Sequence, residues 1–128
     1  MRTIRIVLPL VALALLSACA TTGHTVRRSS PDELTRADLE ASMQVNAYEA
    51  VRQARPRWLR TRGPNSFIAE NPIVVYLDGV RAGGIQMLES IPVLSIERMQ
   101  FFDATDAQAR FGLNHTNGAI EVITRKGP

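Results

Sequence analysis

Asp78-Gly79, lodged between Ile73-Val74-Val75-Tyr76-Leu77 and Val80-Arg81-Ala82, constrains this chain more than any other feature. Both turn positions tolerate positive φ, so the dipeptide reads as a tight hairpin closing a β-branched, aromatic strand. Pro72 bounds that strand in front, and Gly83-Gly84 breaks the return strand behind it. Asn117-Gly118 makes a second tight turn into Ala119-Ile120-Glu121-Val122-Ile123-Thr124, a further strand. Ile96 to Phe102 gives a third, with Met99 and Phe101 on one face. Short helical signals separate these runs. Met87–Ile91 is stopped by Pro92, and Ala104–Phe111 opens on Asp103, carries Asp106 in its first turn and ends at Gly112. Strands alternating with short helices imply an α+β fold, a small mixed sheet with short helices packed on it.

Upstream, Thr35 followed three residues later by Asp38 predicts a capped helix start, with the carboxylate at the positive end of the helix. Leu39, Met43, Ala47, Ala50 and Ala54 then recur at spacings of three and four, with Tyr48 and Val51 beside them. The spacing predicts one helix, its stripe a core face, running until Pro56 ends it near Arg55.

Cys19 is the chain's only cysteine, and it closes an apolar run preceded by Arg2 and Arg5. A charged start, a short apolar core and small residues at the end describe a secretory signal peptide, and the run is shorter than the roughly 20 residues a membrane span needs. Leu16-Ser17-Ala18-Cys19 resembles the lipobox of bacterial lipoproteins, in which the cysteine is acylated and becomes the first mature residue. The rival reading is an ordinary signal peptide with a coincidental cysteine, which would leave an unpaired thiol in an oxidising compartment. Ala20, not Asp, follows the cysteine, which by the same resemblance implies outer-membrane placement, lipid-anchored and facing the periplasm. The expected organisation is therefore a signal peptide over 1–18, a lipid-anchored tether over 19–34 and a folded domain over 35–128. The stretch from Ala20 to Pro31 is rich in Thr, Ser and Gly, and His24 within it has no companion at metal-ligand spacing.

Losing Arg2 and Arg5 with the leader takes the basic count from 15 to 13, against 12 acidic residues. So balanced a charge is no evidence for a nucleic-acid partner, which an exported, lipid-anchored protein rarely meets. Locally, though, Arg52, Arg55, Arg57, Arg60 and Arg62 crowd one segment around Trp58 and Leu59, with no acid among them. One reading is a patch for lipid phosphate, lipopolysaccharide or an acidic partner, using Arg55, Arg57, Trp58, Arg60 and Arg62. The other is a solvated helix end with Trp58 and Leu59 turned into the core.

The ordered set Val74–Val80, Leu88-Glu89-Ser90-Ile91-Pro92, Ile96-Glu97-Arg98-Met99-Gln100, Ala107–Gly112 and Asn117–Gly127 resembles the plug domain of TonB-dependent outer-membrane receptors. Asn46–Val51 resembles the early plug helix. The resemblance implies a plug-like architecture and, because plug loops carry ligand contacts, a contact region at Gly83, Gly84, Asn114, His115 and Asn117. No amphipathic strand series follows the Asn117–Gly127 segment, and the tether carries no evident energy-coupling segment. The expectation is a free-standing, lipid-anchored plug-like domain whose partner is a receptor barrel, another envelope protein or a ligand.

Nothing in the sequence assembles a catalytic set. Asp78 is accounted for by its hairpin, Asp103 and Asp106 by capping, and Glu97 by an edge-facing strand position. His115 sits in a turn and is expected to be solvated. Ser90 and Ser95 lack a partnering base, Asn114-His115-Thr116 matches a glycosylation sequon by chance, and neither a phosphate loop nor a metal-spaced cluster is present. The chain is expected to be non-enzymatic and to need no metal or cofactor.

Overall fold

A computed structural model describes residues 30–61 and 72–127. The signal peptide, tether residues 19–29 with Cys19 among them, and Arg62 lie outside the described residues. The elements are β1 (Glu33–Thr35), α1 (Arg36–Ala41), α2 (Ala47–Ala54), β2 (Val74–Leu77), β3 (Val80–Gly83), β4 (Ile96–Phe102), α3 (Ala104–Phe111) and β5 (Ala119–Thr124). Short 3₁₀ turns cover Pro56–Leu59, Ile85–Ser90 and Val93–Ser95. The five strands form one mixed sheet in the order β1-β4-β5-β2-β3. Only β2 and β5 run parallel.

Local chemistry accounts for most element ends. Thr35 and Asp38 close a reciprocal capping box, with the Thr35 N–H donating to Asp38 Oδ2 at 2.9 Å. The Asp103 carboxylate accepts from the amides of Thr105 and Asp106 at 2.8 and 3.0 Å, and Gly112 ends α3 at φ 92°. Asp78 and Gly79 turn the β2–β3 hairpin at φ 50° and 83°, both left-handed as a type I′ turn requires.

The sheet is covered on both faces, which explains why β2 reads as a continuous apolar run and not as an alternating one. Val75 and Leu77 of β2, with Ile120 and Val122 of β5, face the larger core, where α1, α2, Trp58, Leu88, Ile91, Val93 and Met99 pack. Val74, Tyr76 and Ala119 face the smaller core under α3, beside Phe102 and Phe111. Met99 and Phe101 share the larger core as expected, and a register shift between Ile96 and Arg98 lets Ile96 join them.

Two sequence expectations are corrected. The long helix is broken at Ser42–Asn46, and Met43, placed on its buried stripe, is exposed at φ 54°. The Ser42 hydroxyl donates to the Leu39 carbonyl at 2.6 Å, and Asn46 starts a new helix by accepting from the Glu49 amide at 3.0 Å. Both side chains compete with the helical backbone. The break is then held from outside, because Ala47 N–H donates to Ile91 O and Val93 N–H to Val45 O. The second correction concerns the tether boundary. Glu33 and Leu34 pair with Gln100 and Met99 of β4, and Leu34 is buried, so folded structure begins ahead of position 35.

Candidate functional site

The sheet topology decides where the two expected contact loops lie. Gly83 pairs across from Val75, and Ala119 pairs across from Val74. Gly83-Gly84 and Asn114–Gly118 therefore meet at the same end of the sheet, two strand spacings or roughly 10 Å apart. Asp78-Gly79 turns at the other end.

The Asn114–Gly118 loop is pinned from inside by His115. This residue is 4% exposed, not solvated as its turn setting predicts. Its Nδ1 lies 2.8 Å from the Gly112 carbonyl and its Nε2 2.8 Å from the Tyr76 hydroxyl. A carbonyl can only accept, so Nδ1 carries a proton; in the neutral ring Nε2 then accepts from the Tyr76 hydroxyl. Tyr76 in turn stacks on Phe111, ring centroids 3.9 Å apart. His115 is thus a clasp between the loop, β2 and α3, and it leaves the set of contact residues. Asn114 stays on the surface at φ 74°, Asn117 is half-buried, and Gly118 turns the chain into β5 at φ 86°.

The same end of the molecule carries part of the arginine cluster. A cleft of about 150 Å³ is lined by Arg57, Arg60, Phe101, Asp103, Ala104, Thr116 and Asn117. Two stretches that the sequence treats as rival sites, the arginine segment and the Asn117 turn, both line it. Gly83, Gly84 and Asn114 lie outside it. A wider hollow of about 580 Å³ shares Phe101 and Asp103 with it and extends along α3 past Asp32, Asp106 and Arg110. Asp32 and Asp106 had no functional signal in the sequence, because one lay in the supposed tether and the other read as a helix cap.

The structure removes Trp58 and Arg55 from the anionic-surface set. Trp58 is fully buried, stacks on Phe101 with centroids 5.8 Å apart, and donates its indole N–H to the Pro31 carbonyl at 3.2 Å. Arg55 donates to the carbonyls of Ala54, Ser30 and Glu33, fastening the outer edge of β1. Arg57 reaches the Pro31 carbonyl and pairs with Asp32. Arg60 is exposed and pairs with no carboxylate among the described residues.

Two further acids do structural work. Glu121 is buried on β5 under α3, where Arg110 holds both of its oxygens at 2.9 and 3.1 Å. Asp78 does more than turn the hairpin, since its carboxylate accepts from Thr124 Oγ1 at 2.6 Å and from the Thr124 amide at 2.8 Å. Those bonds, the hydroxyl's first, favour the ionised form and hold the Asp78 carboxyl below its ordinary value. A depressed folded-state value stabilises the protein above the unfolded value of about 3.9. That contribution is lost as pH falls through the folded value. Urea unfolding of Asp78→Asn is expected to show a deficit of at most about 1 kcal/mol at pH 7, solvent screening the exposed carboxylate. The gap to wild type should begin to narrow below about pH 4 and vanish only once pH lies below the folded-state value; a gap that does not narrow on acidification would contradict the charge-assisted clamp.

Among the described residues, no three His, Cys, Asp or Glu side chains gather as a metal set, and no helix is long and apolar enough to cross a membrane. The chain matches no family model, no curated protein and no solved structure.

Proposed function

We propose that this protein is a non-enzymatic, lipid-anchored binding module of the outer membrane, with a plug-like domain that recognises an envelope partner at one end of its sheet. One observation carries the reading. Arg57 and Arg60 from one stretch and Thr116 and Asn117 from another line a single cleft, at the end of the sheet to which Gly83-Gly84 also comes. The order of hairpin, helical turn, β4, α3 and β5 supports the plug-like part of the reading, and Leu16-Ser17-Ala18-Cys19 supports the anchor. An exposed guanidinium, Arg60, without a carboxylate partner among the described residues favours an acidic group on the partner, a receptor barrel or another envelope protein.

The test is a photo-crosslinking residue at Asn114 in the full chain, in cells, beside a Cys19→Ala control. Repeated capture of one envelope protein, lost in the control, supports the module. Capture of only abundant lipoproteins overturns it. Arg60→Glu is expected to change folding stability by no more than about 0.5 kcal/mol, as an exposed substitution. It should weaken capture roughly tenfold, equivalent to about 1.4 kcal/mol. Undiminished capture would remove the cleft from the contact.

A further inference from the structure

Six large apolar side chains are exposed among the described residues, and three of them surround one hollow. Met43, Val45 and Leu94 are 91%, 84% and 73% exposed, and with Pro92 and Val93 they line a depression of about 360 Å³. Chance scatter of surface apolar residues does not concentrate half of them at one place. Nor is the patch a loose loop. Val45 and Val93 are tied backbone to backbone at 3.0 Å, Asn46 bridges Pro92, and Ser42 braces the turn by donating to Leu39 O. The chain gives up the helix through Met43 in order to hold these side chains outward.

The rim carries the charge that a membrane surface selects. Arg125 is bonded through its amide to Ser95 O at 2.9 Å and through its guanidinium to Leu94 O at 3.3 Å. No carboxylate among the described residues pairs with it, and Lys126 follows it on the surface. Glu40, the acid at the hollow, is engaged by Arg36. An apolar protrusion beside Arg125, which no carboxylate among the described residues neutralises, matches a bilayer interface, where acyl chains take the first and anionic headgroups the second.

Chain length makes that surface reachable. Ten residues lie between Cys19 and Ser30, and the eleven steps from one to the other extend at most roughly 40 Å. A domain of this size is about 30 Å across, so the anchor allows any of its faces to meet the bilayer. The patch decides which one does. We propose that Met43, Val45 and Leu94 form a docking surface that seats the domain on the anionic bilayer carrying its anchor. This rests on the lipid-anchor reading of Cys19. The Arg57–Asn117 cleft lies elsewhere, sharing no lining residue with the hollow.

The acylated full chain, reconstituted in phosphatidylethanolamine vesicles with and without phosphatidylglycerol, tests this directly. Acylation consumes the only native thiol, so a Leu94→Cys variant takes an environment-sensitive fluorophore at one site, and Thr105→Cys on α3 serves as the control. The expected result is a blue-shifted label at 94, quenched at least twofold more by lipid-borne nitroxide than the label at 105, and more so with phosphatidylglycerol present. Floating vesicles in which both labels stay water-exposed would overturn the docking surface while leaving the anchor intact. Failure of the chain to float at all would overturn the anchor reading and this proposal together. A shift at 94 that appears in detergent without vesicles, and grows with protein concentration, would overturn it in favour of a second copy of the chain.

Discussion

Replacing Trp58 with alanine is expected to cost roughly 3–5 kcal/mol of folding free energy. The side chain is fully buried in the larger core and stacks on Phe101 of β4. Its indole N–H holds the Pro31 carbonyl, so one residue joins the Pro56–Leu59 turn, the central sheet and the strap ahead of β1. Truncation opens a cavity larger than any neighbouring side chain fills and leaves the Pro31 carbonyl to Arg57 alone. Arg57 and Arg60 flank this indole in sequence, so the cleft wall should loosen with it. Urea unfolding followed by circular dichroism reads the loss, and Trp58→Phe should recover part of it by keeping the stack. A cost under about 1 kcal/mol would be that of a surface residue, and would restore the tryptophan-centred lipid patch.

Gly118→Ala should also be severe, at roughly 3 kcal/mol, for a reason that its paired control isolates. Gly118 sits at φ 86°, and a Cβ there would press into the Phe102 carbonyl oxygen and lie 3.2 Å from the Phe101 ring. Backbone of a central strand cannot move aside cheaply. Gly79 has nearly the same φ, 83°, with nothing near the added carbon, so Gly79→Ala should cost only about 1–2 kcal/mol from the left-handed backbone. For a domain of this size each kcal/mol lowers the melting temperature by about 4–8 °C. Thermal unfolding should therefore separate the two variants clearly. Equal losses would mean that the close approach of the Asn117-Gly118 turn to β4 contributes nothing.

The parts of the fold legible in the sequence share a physical property. The Thr35–Asp38 box, the Asp103 cap, the Asp78-Gly79 hairpin and the Gly112 stop are all made by groups within four residues of one another. Where competing local signals coexisted, periodicity misled. Ser42 and Asn46 carried their own capping chemistry inside a helical stripe, and pairing with Ile91–Val93 settled the competition. His115 was misjudged for a different reason. Its turn neighbours are polar and exposed, while the groups that bury it, Tyr76 and Phe111, come from β2 and α3.

By itself the sequence determined four of the five strands, the last helix and the turns that join them. Each depends on short-range chemistry or on an alternation that the residues carry themselves. Only the tertiary structure decided that β5, last of the strands in the chain, lies in the middle of the sheet between β4 and β2. That pairing buries Glu121 where Arg110 must neutralise it, and brings the Asn117 turn beside Arg57 and Arg60. Strand order rests on hydrogen bonds between residues some 45 positions apart, such as Val74 and Ala119. No local pattern encodes such a partner, because a strand's edge groups pair equally well with any strand in register; burial of both faces of β2 and β5 makes the choice.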